Sequence, residues 1–249
     1  MGTNRNKYEQ LADTLRASIK AGDFAPGAQL PSERSLAGEY NVSPQTVRQA
    51  LALLKEEGLI EARATAGVFV REPFEPIRRR GIQRLARDRW GSGASIWSTD
   101  EGRDLVVDQL VVDEDVTAPK HIAAALELQA SETVCLRSRR FVVADRPVLL
   151  SRSYLPQSLV GGSQITQPDT GPGGTYARLA ELGATPVHFR EELRVRPPVR
   201  EEIERLSLPV GAPVIQLVRT AWAGNKRPVE VNEMVLDALA YVLDYEFDA

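Results

Sequence analysis

Cysteine and histidine are nearly absent from this 249-residue chain, which has one cysteine, Cys135, and two histidines, His121 and His188. A lone thiol staples no fold and builds no cysteine-based metal site, so the reducing cytoplasm is the expected compartment. Two histidines far apart in sequence leave little material for zinc or imidazole acid–base chemistry. No apolar run approaches the ~18 residues that would span a bilayer. The polar start, Met1-Gly2-Thr3-Asn4-Arg5, is followed by no apolar stretch and does not read as a secretory signal. No phosphate-cradling P-loop or nucleophile elbow occurs. These absences disfavour most enzymes, and no catalytic residue, metal or cofactor is expected.

What is present is globular: 43% hydrophobic and 26% charged residues, in a length that suits one large domain or two small ones. The net charge of -3 hides an asymmetry. Residues 1–91 hold 15 Lys+Arg against 11 Asp+Glu, and the remainder holds 16 against 23. A basic first part and an acidic second part suggest two modules with different partners.

The first seventy residues read as three helices and a hairpin. Tyr8, Leu11, Ala12, Leu15 and Ile19 form an apolar stripe at helical spacing, closed by Gly22. Pro31-Ser32-Glu33 opens a second, short helix with Ser32 as its cap. Ser43-Pro44 opens a third, whose Val47, Ala50, Leu51 and Leu54 repeat on one face. That pattern turns Gln45, Thr46, Arg48 and Gln49 outward near the N-terminal end. A capped helix with such a tip suits the DNA major groove, where Arg forks onto guanine and Gln onto adenine. Leu59-Ile60 and Val68-Phe69-Val70 then read as the hairpin.

The ordered motifs Pro26-Gly27-x-x-Leu30-Pro31-Ser32-Glu33-Arg34-x-Leu36-Ala37, Val42-Ser43-Pro44-Gln45-Thr46-Val47-Arg48-Gln49-Ala50-Leu51, Gly58-Leu59-Ile60 and Phe69-Val70 resemble the GntR family of bacterial transcription regulators. The resemblance implies a winged helix-turn-helix that binds double-stranded operator DNA as a homodimer. It puts Arg34 at the DNA backbone, and Ser43, Gln45, Thr46 and Arg48 at the recognition helix; Gln49 is expected to join them from its outward position alone. The family's wing usually reads Gly, a basic residue, Gly, Thr; here Thr65-Ala66-Gly67-Val68 retains only Gly67, with Arg63 nearby, so a weaker wing contact is expected.

The second part contains two similar stretches. Leu126-x-Leu128, Val134 and Arg139 match Leu206-x-Leu208, Val214 and Arg219 at an offset of 80, and Pro147-Val148 matches Pro228-Val229 at 81. Each reads as strand, helix, strand, tight turn and returning strand, which suggests one antiparallel sheet with helices on a face. True duplication and chance likeness of amphipathic units both fit this pattern. A Gly/Pro/Thr loop over 161–174 separates the two, followed by a helix over 175–182. On the strand over 133–143, Arg137, Arg139 and Phe141 share a face, as do Glu230, Asn232 and Met234 after Pro228. Arg139 and Arg219 could fork onto an anion, and Glu230 and Asn232 could hydrogen-bond hydroxyls. Tyr176 sits at a helix start where backbone amides hold phosphate.

The stretches Leu126-x-Leu128, Ser153-Tyr154-Leu155-Pro156, Gly173-Gly174-x-Tyr176, Pro213-Val214 and Pro228-Val229-Glu230 resemble the UTRA effector domain of the family's HutC-type branch. This implies a chorismate-lyase-like α+β fold that senses small molecules, such as phosphorylated sugars or small acids, and does not catalyse. Arg137, Arg139, Ser151, Tyr176, Arg219, Glu230 and Asn232 are the expected effector-binding residues. Phe141 stands where many sugar-phosphate binders carry a second arginine, and Ser151 replaces a frequent glutamate, so a less anionic effector is open. The expected organisation is a winged helix-turn-helix over 1–72, a linker over 73–92 in which the run Arg78-Arg79-Arg80 is solvated and a short helix is open around 82–89, and an effector-binding and dimerisation domain over 93–249. Two readings compete: an enzyme with a lyase-like domain fused to a DNA-binding head, and a ligand-independent repressor that keeps the fold but leaves the pocket empty.

Overall fold

The computed structural model describes residues 6–63, 66–72, 74–81, 83–97 and 105–246. Thr65 of the expected wing, and Pro73 and Ile82 of the expected linker, lie outside them. The chain divides into two compact units, with the boundary between Glu75 and Pro76 and a short return of residues 209–211 to the first. Among the described residues, no helix is long and apolar enough to cross a membrane.

The N-terminal unit holds α1 (Lys7–Ala21), α2 (Glu33–Glu39) and α3 (Pro44–Glu56), then the hairpin β1 (Ile60–Arg63) and β2 (Gly67–Val70). Local signals set each end. The Glu9 carboxylate accepts from the Asn6 amide at 3.0 Å, and Gly22 takes the left-handed conformation (φ +88°) that ends α1. Ser32 Oγ accepts from the Ser35 amide at 3.2 Å to start α2. Leu11, Ala12, Leu15, Leu36, Val47, Ala50 and Leu54 close one core among the helices, and Ile60 and Val70, paired across the hairpin, seal its edge.

The second unit is built on a six-stranded antiparallel sheet in the order β4-β5-β6-β9-β8-β7. Its strands are β4 (Val106–Val116), β5 (Val134–Val143), β6 (Arg146–Pro156), β7 (Pro186–Arg196), β8 (Val214–Ala223) and β9 (Pro228–Asp237). Helices α5 (Lys120–Ala125) and α8 (Arg200–Leu206) follow β4 and β7, so each half runs strand, helix, strand, strand. The halves meet at β6 and β9, where Ser153 faces Asn232 and Leu149 faces Leu236.

Helices cover both faces of this sheet, not one. Ile122 of α5 packs on Val134, Tyr154 and Val231, and Leu206 of α8 on Leu150 and Val214. On the opposite face, α4 (Arg87–Gly91), α6 (Gln157–Val160) and α7 (Gly174–Glu181) pack through Trp90, Val160, Tyr176 and Leu179 onto Cys135, Leu155 and Ala221. Cys135 is fully buried, and that burial pushes its thiol up to about 11. It should resist a disulfide reagent at pH 8 in the native protein and react only once the chain is unfolded; a fast native reaction would contradict this packing.

The expected linker is ordered structure. Residues Ile77–Arg80 form β3, parallel to β10 (Tyr241–Asp244), with Ile77 opposite Tyr241. A 3-10 turn (Gln83–Leu85) and α4 follow, with Leu85 and Trp90 in the core. The arginine run alternates as a strand does: Ile77 and Arg79 are buried, while Arg78 and Arg80 are exposed. Arg79 escapes solvent because a carboxylate from far along the chain, Glu191, meets it at 3.0 Å.

Candidate nucleic-acid interface and ligand cavity

In the N-terminal unit, the α3 cap and core decide which side chains point outward. Ser43 Oγ accepts from the Thr46 amide at 3.1 Å, and Pro44 follows at the first helical position. With Val47, Ala50, Leu51 and Leu54 buried, Ser43, Gln45, Arg48 and Gln49 are exposed and Thr46 is half-buried. Arg48 Nε lies 3.9 Å from Glu33, beyond hydrogen-bond range, so its donors remain available to a base or phosphate. Arg34 is exposed on the first turn of α2.

The wing is more occupied with itself. Arg63 Nε donates to Glu61 at 2.9 Å, and its guanidinium lies 4.5 Å from the Phe69 ring centroid. Gly67 has φ +108°, and a Cβ there would meet Gln29 Nε2 at 2.7 Å. Gln29 Nε2 in turn donates to the Ala66 carbonyl at 2.7 Å.

In the second unit, a cavity of about 520 Å³ opens beside the β5 face that carries Arg137, Arg139 and Phe141. It is also lined by Arg219 of β8, Glu230 of β9, Trp97, and the loop over 168–176. This volume suits a small metabolite. Five of the seven expected effector residues line it: Arg137, Arg139, Tyr176, Arg219 and Glu230. Ser151 and Asn232 do not. Ser151 Oγ donates to Asn232 Oδ1 at 2.9 Å, and Asn232 Nδ2 donates to Ser153 Oγ at 2.9 Å, so they satisfy one another inside the sheet.

The arginines have separate roles. Arg137 is spent on its own loop: it donates to the carbonyls of Ile165, Gln167 (2.6 Å) and Pro168 (2.9 Å). Arg139 is 8% exposed and has no hydrogen-bonding or ion-pairing partner among the described residues. Its burial, with Arg137 beside it, pulls its pKa down to about 10. Arg219 is 0% exposed, and none of its three guanidinium nitrogens is hydrogen-bonded among the described residues. Its nearest carboxylates stand off at 3.7 Å (Glu191) and 3.9 Å (Glu230), and the rings of Tyr176 and Trp97 lie 5.5 and 5.8 Å away.

Glu230, 2% exposed, accepts from the Tyr176 hydroxyl at 2.8 Å, and burial drives that phenol's pKa well up. The protonated phenol therefore stays a donor and holds the carboxylate in place. No side chain caps α7, which begins after Gly173 in the left-handed conformation, so its positive end adds to the field of the two arginines. Trp97 stacks on Phe141 at 4.6 Å and forms an apolar wall. The sequence reading missed Trp97, which stood just past a Gly/Ser stretch taken as linker. The arrangement holds charge and offers no nucleophile beside a base; among the described residues no cluster fits a metal ion.

Gly173 fixes the loop. At φ +77°, a Cβ there would lie 2.4 Å from the Trp90 carbonyl and 2.6 Å from Ala177 Cβ. Gly173→Ala should cost ~2 kcal/mol or more through left-handed strain plus displacement of that backbone. A thermal melt checks it, and an unchanged midpoint would refute the close approach.

Residues 7–70 match the bacterial regulatory proteins of the gntR family, and residues 102–241 match the UTRA domain. An uncharacterized HTH-type transcriptional regulator of Streptomyces coelicolor is 31% identical over 99% of this chain and 94% of its own length. The HTH-type transcriptional repressor NagR of Bacillus subtilis is 26% identical over 97% of this chain and 94% of its own. Among solved structures, a putative GntR-family transcriptional regulator superposes with a TM-score of 0.61 at 28% identity, covering 98% of each chain. The protein belongs to the GntR family, as a transcriptional regulator, not an enzyme, with a helix-turn-helix DNA-binding domain and a UTRA effector domain.

Proposed function

We propose that this regulator is a cytoplasmic repressor that binds operator DNA as a homodimer and responds to a small anionic effector in the UTRA cavity. The observation that carries the effector reading is Arg219: a fully buried guanidinium that no hydrogen bond satisfies among the described residues, its two carboxylates at 3.7 and 3.9 Å, facing a cavity shared with Arg139, whose side chain has no partner among them. Leaving a charge so placed is costly unless an anion meets it. Glu230, held by Tyr176, accepts from a hydroxyl or amine on the same ligand, so a phosphorylated sugar or a small hydroxy acid fits.

The DNA-binding part is taken as 1–72 and the effector part as 93–249, with dimerisation in the latter. Gln45, Thr46, Arg48 and Gln49 would meet bases, Arg34 and Ser43 phosphates, and Arg63 and Gly67 the weaker wing contact. A repressor role is supported by the likeness to NagR, an HTH-type transcriptional repressor. Two heads are needed because one small head reads too few base pairs.

The test is a gel shift on the promoter upstream of the protein's own gene, with and without a panel of sugar phosphates and small acids. The expected results are binding that collapses when one half-site is deleted and release by one panel member. Binding indifferent to half-site deletion would refute the dimer.

A further inference from the structure

The effector cavity shares a buried charge cluster with the segment that follows the DNA-binding unit in the chain. Glu191 Oε1 accepts from Arg84 Nη2 at 2.6 Å and from Arg79 Nη2 at 3.0 Å, while Glu191 Oε2 accepts from the Tyr245 hydroxyl at 3.0 Å. Arg219 Nη1 stands 3.7 Å from the same Oε1, outside hydrogen-bond range, because two donors already occupy that oxygen. Glu191 and the three arginines are 0 to 8% exposed. The Nε atoms of Arg79 and Arg84 have no hydrogen-bond partner among the described residues, and Arg79 otherwise meets only the Met234 sulfur, at 3.5 Å. Three buried cations thus lean on one carboxylate, with Glu230 3.9 Å from the far side of Arg219. Burial, and after it the neighbouring Arg79 and Arg219, pull the Arg84 pKa down, whereas Tyr176, Glu230 and Glu191 hold that of Arg219 up.

We propose that Arg79 and Arg84 are positioning residues that sense the cavity: an anion neutralising Arg219 relieves the repulsion on them and tightens β3 and the 3-10 turn onto Glu191. The inference rests on the anion-binding reading of the cavity and adds the route by which occupancy reaches the chain leading from the DNA-binding unit. The route differs from the direct one just past α4, where the Gly173 amide donates to the Gly93 carbonyl at 2.8 Å. Its reporters are therefore the β3-end amides, Ile77 and Gly81, which donate to Ala240 and Asp244 at 2.8 and 2.9 Å.

Amide hydrogen exchange of the full chain, with inorganic phosphate against potassium chloride at equal ionic strength, tests it. In the wild type, phosphate should slow exchange both in the 168–176 loop and at 77–81, by roughly threefold or more at the latter. Arg84→Met removes one excess cation: 77–81 should already be slow without phosphate and respond little to it, while the loop still responds. Glu191→Gln should act oppositely, with faster basal exchange at 77–81 and a larger phosphate effect; if it fails to fold, the wild type and Arg84→Met carry the test. Protection of the loop without 77–81 would overturn the coupling and leave the anion site standing. Protection of neither would overturn both. An unaltered phosphate response at 77–81 in Arg84→Met would show that these arginines are not the route.

Discussion

Replacing Gln45 and Arg48 together by alanine is expected to weaken operator binding by on the order of a hundredfold or more per head while leaving the melting midpoint within a degree. The binding loss follows from the chemistry: a bidentate side-chain contact to a base is worth ~1–3 kcal/mol of discrimination, and two are removed. The unchanged stability follows from exposure. Arg48 keeps 58% of its side chain in solvent, its one carboxylate neighbour among the described residues stands at 3.9 Å, and neither residue enters the α3 core. Ion pairs of that kind contribute ~0–1 kcal/mol at most. Arg63→Ala should behave differently, with a loss under about fivefold, since Arg63 is engaged by Glu61 and Phe69 within its own hairpin. Fluorescence anisotropy on operator and scrambled duplexes at fixed salt measures all three. Undiminished preference of the double variant for operator would mean that α3 is not the reading element.

The N-terminal unit was legible because its determinants are local. The cap at Ser43, the proline after it and the 3.6-residue stripe through Val47, Ala50, Leu51 and Leu54 all lie within one helix, and they specify which side faces out. The alternating face of β5 was legible for the same reason. What could not be read is non-local. Three arginines in a row have the composition of a solvated linker, and the middle one is buried only because Glu191 and β10 arrive from more than a hundred residues away. Ser151 and Asn232 sit on the expected sheet face, yet they turn to each other across the β6–β9 seam, a pairing that no spacing announces. Arg137 and Arg139, two residues apart on one face, look equivalent in sequence; the loop carbonyls of 165–168 claim one and leave the other to the cavity. Coverage of both sheet faces was hidden in β9, whose residues are buried on both sides and so carry no alternation to read.

Arg219→Met is expected to raise the melting midpoint by about 4–8 °C and to abolish the stabilisation that an anionic ligand gives. The sign comes from what the wild-type residue lacks. A guanidinium withdrawn fully from water forfeits several kcal/mol of solvation; Tyr176, Glu230 and Glu191 hold its pKa up, yet none of them closes a well-formed hydrogen bond on it and the carboxylates stand at 3.7 and 3.9 Å. Methionine fills similar volume between Tyr176 and Trp97 without that cost. Neither carboxylate is stranded by the change, since Glu230 keeps the Tyr176 hydroxyl and Glu191 keeps Arg79 and Arg84. A gain of ~2 kcal/mol in a chain of this size corresponds to the stated rise. The wild type, by contrast, should gain ~2.7 kcal/mol from a ligand at a hundred times its dissociation constant, which the variant cannot collect. Arg137→Met should move the other way, costing ~3 kcal/mol or more, because it orphans three loop carbonyls that the guanidinium now satisfies. Opposite signs for the same substitution at two arginines of one cavity would separate the group that senses from the group that supports; a fall in stability for Arg219→Met would show that this guanidinium serves the fold instead.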